Sequence, residues 1–203
     1  MSEPATARDL FWEFASAEFD CDRYGHRYRP GLTATLTSAL AAGDKGSLSA
    51  DDWNKLASTV ASVRAALTLG PIQLGTTWQY GALPTDQLAN VLFVRMPDFE
   101  EVAPSRTIGE LARGILDGKK FRERAGEQDF GMMAKRRAKD FSVSKLRGAI
   151  VLLSAGGFPP YLLIEGLTRA TALTIRIQRG ESVPRTVRVL FGVCPRLADW
   201  WFY

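Results

Sequence analysis

Apolar and polar positions alternate at helical spacing through the first seventy residues. A stripe of apolar residues predicts a helix over 5–19, and a second helix is predicted over 32–42. A third helix is predicted to begin after Ser49, whose hydroxyl can cap it, and to end at Gly70 and Pro71, which break helices. The pattern therefore predicts a helical segment over residues 1–70.

The pattern changes from residue 71 onward, where short apolar runs are separated by turn residues. Strands are predicted over 76–80, 91–95, 149–154, 161–165 and 187–193, with a turn over 81–86. Helices are predicted over 108–116, with Thr107 as the N-cap, and over 168–179. This order favours an α+β domain over 71–203 that carries a helical N-terminal extension over 1–70. A doubly wound sheet would alternate strands and helices more regularly.

The segment from Glu165 to Arg169 carries the candidate chemistry, because an apolar strand there gives way through one glycine to a helix. Gly166 can bring the backbone close to a ligand or adopt a positive φ. The N–H groups of Gly166, Leu167 and Thr168 would face an anion such as phosphate, and Thr168 is also the expected N-cap. Arg169, at the positive end of the helix dipole, would neutralise that anion.

Two interpretations of Glu165 and Arg169 stay open at this point. In one, Glu165 ends its strand as a general base or a magnesium ligand, and Arg169 binds phosphate. In the other, Gly166 forms an ordinary strand-to-helix turn, and Glu165 and Arg169 form an ion pair. A Gly-x-x-Arg spacing alone does not separate the two.

Gly166, Arg169 and Ala172 form a Gly-x-x-Arg-x-x-Ala pattern that resembles the phosphate-binding turn of the ParB/sulfiredoxin-like superfamily. The strand before it, the helix after it and the segment 183–190 follow in the order of that family, so the resemblance covers residues 75–193. It implies a small mixed-sheet α+β domain that binds a nucleotide, for example CTP, ATP or ADP, together with magnesium.

The activity that the resemblance implies is that of a small-molecule kinase or a nucleotide hydrolase. Glu165 and Arg169 would be catalytic, while Gly166, Leu167, Thr168 and Arg169 would bind the nucleotide. Sulfiredoxins carry a cysteine between the glycine and the arginine, where this chain has Leu167 and Thr168, so the sulfiredoxin reaction is not expected. Serine-phosphorylating members share the acid before the glycine but usually have histidines after it. The alternative is a DNA-binding or partner-binding protein that uses the same fold without catalysis.

The net charge of +4 is unevenly distributed. The segment 113–147 contains eleven Lys or Arg against five Asp or Glu, a net charge of +6, and a basic insertion is predicted near 117–147. Its densest run comprises Lys135, Arg136, Arg137 and Lys139. These side chains are candidates for nucleic-acid phosphate contacts, although such runs also occur as solvated surface. With Phe130 nearby, the segment could instead form a lid over the site.

The remaining features limit location and partners. No apolar run reaches the ~18 residues that a transmembrane helix needs, so no membrane partner is expected. Cys21 and Cys194 form no Cys-x-x-Cys pair, which favours a reducing, cytoplasmic setting over a zinc site or a disulfide framework. The aromatic residues at 200–203 are expected to pack against the core, with a partner interface as the alternative.

Overall fold

The computed structural model describes residues 3–19, 25–121, 130–142, 148–200 and 202–203. Within them, six strands form one mixed sheet with the order β1-β2-β6-β4-β5-β3. The strands are β1 (Glu3–Ala5), β2 (Thr77–Pro84), β3 (Leu92–Phe93), β4 (Ile150–Ser154), β5 (Leu162–Glu165) and β6 (Thr186–Val193). The pairs β3–β5 and β4–β6 are parallel, and the other neighbours are antiparallel.

Helices cover both faces of this sheet. In the described residues they are α1 (Ala7–Glu18), α2 (Gly25–Tyr28), α3 (Ala34–Ala42), α4 (Ala50–Gln73), α5 (Pro97–Glu100), α6 (Ile108–Leu116), α7 (Phe130–Lys139) and α8 (Leu167–Gln178). The fold is α+β, as the sequence predicts, because the helices and strands follow no regular βαβ repeat.

The central strand β4 shows how the two helical layers share the sheet. Val151 and Leu153 belong to a core formed with α1, α3 and α4, whereas Ile150 and Leu152 belong to a second core formed with α6, α7 and α8. Successive side chains of a strand point to opposite faces, so one strand contributes to both cores. All five residues of β4 are buried, as expected for a strand covered on both sides.

The helix predictions are largely confirmed. Helices α1, α3 and α6 lie within the predicted ranges, and Thr107 caps α6 by accepting a hydrogen bond from the Glu110 N–H. Ser49 caps α4 in a reciprocal box with Asp52. The predicted end at Gly70 is wrong, since α4 continues through Pro71 to Gln73. The last turn closes because the Leu74 N–H still donates to the Gly70 carbonyl.

The strand β2 is longer than its pattern indicates. The turn predicted over 81–86 is wrong at its start, because β2 continues to Pro84 and pairs with β6 along its whole length. A Cβ on Gly81 would lie 3.2 Å from the Phe191 ring, so the glycine serves close packing here rather than a turn. Hydrogen bonds from β6 thus extend a strand that its own sequence marks as broken.

The segment 1–70 is not helical throughout, because β1 pairs with β2 at one edge of the sheet. Helices α1, α3 and α4 share their apolar core with residues of β2, β4 and β5. Whether 1–70 and 71–203 fold as separate units stays a prediction.

The aromatic C-terminus packs against the core, as expected. Trp200 is buried, and its indole lies directly over Gly70 of α4. The Arg95 N–H donates to the Phe202 carbonyl at 3.1 Å, which fixes the last residues beside the segment after β3. A partner interface at this end stays a prediction.

Candidate functional site

The turn between β5 and α8 has the conformation that its glycine permits. Gly166 has φ 97° and ψ 19°, in the left-handed region, and it is the N-cap of α8. The prediction of Thr168 as the cap is therefore wrong, since Thr168 is the second residue of the helix. The left-handed glycine turns the chain within one residue, so the helix starts before Thr168. A Cβ at Gly166 would lie 3.1 Å from both Arg169 Nη2 and Ile150 Cγ1.

The first turn of α8 presents backbone donors. Leu167 and Thr168 are half-buried, and their N–H groups donate no hydrogen bond to any residue that the structure describes. The first intrahelical bond runs from the Ala170 N–H to the Gly166 carbonyl at 2.8 Å. Two N–H groups at the positive end of a helix can therefore accept an anion as their partner.

Arg169 is buried, with only 4% of its surface exposed. Its Nη1 donates to the Gly148 carbonyl at 2.6 Å, and its Nη2 donates to the Ala149 carbonyl at 3.1 Å. The same Nη2 lies 3.6 Å from Glu165 Oε1. The ion pair of the second interpretation is thus present, and the guanidinium joins the β5–α8 turn to the start of β4. A direct contact of Arg169 with phosphate stays a prediction.

The carboxyl group of Glu165 has an altered affinity for protons. Burial raises its pKa to about 7, and the negative charge of Glu18 acts in the same direction. The charges of Arg169 and Arg64 and the Gly166 N–H oppose this rise. A carboxylate that takes up a proton near neutral pH has the affinity that a general base needs.

Glu18 and Arg64 form a second buried ion pair on the helical side of Glu165. The Arg64 Nε lies 3.0 Å and 3.2 Å from the two carboxylate oxygens of Glu18, and its Nη2 also donates to Glu18. Arg64 has φ −131° and ψ 30°, so α4 is interrupted where this side chain reaches α1. The buried Tyr28 hydroxyl has no hydrogen-bond partner among the described residues, and burial together with the Glu18 charge raises its pKa.

Glu13 connects α1 to the start of β4. It is fully buried and accepts hydrogen bonds from the Tyr80 hydroxyl, at 2.6 Å, and from the Ala149 N–H. Arg188 Nη2 lies 3.9 Å from the same carboxylate. Glu13 and Arg169 thus hold Ala149 from its N–H and its carbonyl respectively.

Sequence reasoning missed Glu13, Glu18 and Arg64, because their partners are far away in the chain; 46 residues separate Glu18 from Arg64. One local signal was available. Glu13 follows Leu10 by three residues and Glu18 follows Phe14 by four, so both acids share the buried face of α1. Acids on an otherwise apolar helix face indicate buried charge partners.

The basic residues of α7 lie at the surface. The side chains Lys135, Arg136, Arg137 and Lys139 are all exposed, whereas Phe130, Ala134 and Ala138 are buried in the core shared with α8. Other residues of the basic segment, at 122, 124, 145 and 147, lie outside the described residues, as does Cys21. Among the described residues, no group of three or more His, Cys, Asp or Glu side chains could hold a metal ion.

Comparisons with protein-family models, with curated proteins and with solved structures find no match to this chain. The resemblance to the ParB/sulfiredoxin-like superfamily therefore stays a prediction. In the part of the chain that the structure describes, no helix combines the length and apolar character needed to cross a membrane.

Proposed function

We propose that this chain is a nucleotide-binding protein of ParB/sulfiredoxin-like type that catalyses phosphoryl transfer to a small molecule or nucleotide hydrolysis. The nucleotide phosphates bind at the first turn of α8, and Glu165 acts as the general base. CTP, ATP and ADP are the candidate nucleotides.

One observation carries the proposal. The N–H groups of Leu167 and Thr168 face outward from a helix start, next to a carboxyl group whose pKa is about 7. Donors for a phosphate and an acceptor for a proton are the two requirements of phosphoryl transfer, in which positioning and charge provide most of the rate increase. Both occur here within four residues of the chain, on either side of Gly166.

In the proposed reaction Glu165 accepts the proton of an attacking hydroxyl group or water. The attacking oxygen forms a bond to the γ-phosphorus, and the bond from that phosphorus to the bridging oxygen breaks, which releases a nucleoside diphosphate. Glu165 fits a proton acceptor better than a magnesium ligand, since a ligand must stay ionised and Arg169 already lies 3.6 Å from its Oε1. Magnesium that accompanies the nucleotide would bind the phosphate oxygens.

Calorimetric titration with CTP, ATP and ADP, each with and without magnesium, tests the proposal. Saturable binding of at least one nucleotide, together with a rise in Tm that increases with its concentration, is expected. Release of nucleoside diphosphate should fall by about 100-fold or more in Glu165→Gln, while binding persists. The control is Glu181→Gln, which removes a carboxylate near the other end of α8. Absence of binding at millimolar concentrations of all three nucleotides would refute the proposal.

The exposed basic face of α7 favours a second candidate function, nucleic-acid binding without catalysis. All four cations of this face are exposed to solvent. Binding to DNA should then weaken steeply with salt, and replacing Lys135 and Arg136 together by Gln should reduce the salt dependence by about two phosphate contacts. Binding that does not change with salt would count against this function.

A cytoplasmic setting is part of the proposal. Cys194 is a buried free thiol, and few cysteines suit a reducing compartment.

A further inference from the structure

Helix α7 lies against α8 in a position that brings a positive charge toward the candidate site. Ala134 and Ala138, one turn apart on α7, are fully buried in the core shared with α8. Arg176 of α8 donates to the Ala138 carbonyl at 2.9 Å, which fixes the register of the two helices. Arg137 precedes Ala138 and is exposed at the border of this contact.

We propose that Arg137, rather than Arg169, is the arginine that binds the phosphate of the nucleotide at the start of α8. This inference rests on the proposed function and names a residue of its binding site that the sequence pattern assigns elsewhere.

The first argument is that the hydrogen-bonding capacity of Arg169 is already used. Its two terminal nitrogens bind the carbonyls of Gly148 and Ala149, and Glu165 lies beside them. A guanidinium group that turned toward a ligand would leave these carbonyls without their donors in a buried place, which is costly. Arg169 therefore supports the turn and does not leave it.

The second argument is the lack of a partner for Arg137. It makes no hydrogen bond or ion pair with any residue of the described chain, whereas its neighbour Arg136 lies 3.8 Å from Asp140. The positive charge of Arg137 is close enough to Arg169 to lower the pKa of that guanidinium. Two cations near each other at the positive end of a helix repel, and an anion bound between Arg137 and the α8 N–H groups would remove this repulsion.

The test compares nucleotide affinity in Arg137→Gln and Arg179→Gln by calorimetry. Both changes remove one exposed arginine charge, but Arg179 lies at the opposite end of α8, near Glu181. Arg137→Gln should raise Kd about 10- to 100-fold, as expected for loss of a charge-assisted hydrogen bond, and Arg179→Gln should change it less than about twofold. Circular dichroism and Tm of both variants should match the wild type, since neither side chain is buried.

The outcomes separate the inference from the function on which it rests. If the wild type binds nucleotide and Arg137→Gln binds equally well, the inference is wrong and the proposed function stands. If the wild type binds none of the three nucleotides, both fail. If Arg136→Gln weakens nucleotide binding as much as Arg137→Gln, the effect is a general one of the α7 charge and the specific role of Arg137 is refuted.

Discussion

Arg169 Nη1 lies 2.6 Å from the carbonyl oxygen of Gly148, twenty-one residues earlier in the chain. Gly148 has φ 70°, and this left-handed conformation turns its carbonyl toward the arginine at the start of β4. The bond connects the segment before β4 to the first turn of α8. Both sides of the candidate site are thereby held by one buried cation.

Arg169→Ala should strongly destabilise the protein. It removes the donors of two carbonyl groups and leaves the buried Glu165 without its nearest cation, so a loss of about 3–5 kcal/mol in the free energy of unfolding is expected. Urea denaturation at neutral pH measures this loss. Arg179→Ala, which breaks only the exposed pair with Glu181, should cost less than about 0.5 kcal/mol. Equal effects of the two changes would show that the buried network contributes little.

The stability of the protein should depend on pH through Glu165. Its pKa is 4.5 in an ordinary setting and about 7 in the folded chain, so between these values the folded state binds more protons than the unfolded state. The contribution of Glu165 to stability is therefore complete below about pH 4.5 and is lost as the pH rises through about 7.

Glu165→Gln removes this titration, so its free energy of unfolding, relative to the wild type, should rise between pH 5 and pH 8 (about the window set by the two pKa values). Chemical denaturation at intervals across that range measures the difference. Glu181→Gln is the matched control, and its difference from the wild type should stay nearly constant. A constant difference for Glu165→Gln would contradict the raised pKa.

Gly166→Ala should reveal the close packing of the turn. Gly166 and Gly180 both have positive φ, but a Cβ at Gly180 would meet no atom within 4 Å, whereas one at Gly166 would lie 3.1 Å from Arg169 and Ile150. Gly180→Ala should cost about 1 kcal/mol from backbone strain, and Gly166→Ala about 1–3 kcal/mol more. Thermal and urea denaturation of both variants provide the comparison. Equal costs would mean that the turn relaxes without disturbing Arg169.

Trp200→Ala should destabilise the fold, although the residue lies three positions from the end of the sequence. Its indole is buried in the core and covers Gly70, so a loss of about 3–5 kcal/mol is expected. Phe158→Ala, at a side chain 67% exposed in the loop between β4 and β5, should change stability by less than about 0.5 kcal/mol. If Trp200→Ala has no effect in denaturation, the C-terminal aromatic residues serve something other than the core.

Local signals were sufficient where one element forms by its own residues. Ser49 with Asp52 and Thr107 with the Glu110 N–H mark the starts of α4 and α6, because a cap needs only residues within one turn. They were insufficient at β2, where Gly81 and Pro84 indicate a turn but β6 supplies hydrogen bonds up to Thr186. The start of α8 was misplaced by two residues because the sequence does not show that Gly166 itself is left-handed and caps the helix.

The sequence by itself determined the α+β class, the position of the glycine between β5 and α8, and the presence of an acid and an arginine on either side of it. Only the tertiary structure decided what these two side chains do. Glu13, Glu18 and Arg64 come from helices far away in the chain, and their charges and bonds act on Glu165 and Ala149 through space. Because burial and partners set both the pKa of Glu165 and the orientation of Arg169, the same Gly-x-x-Arg spacing could equally have left that arginine exposed.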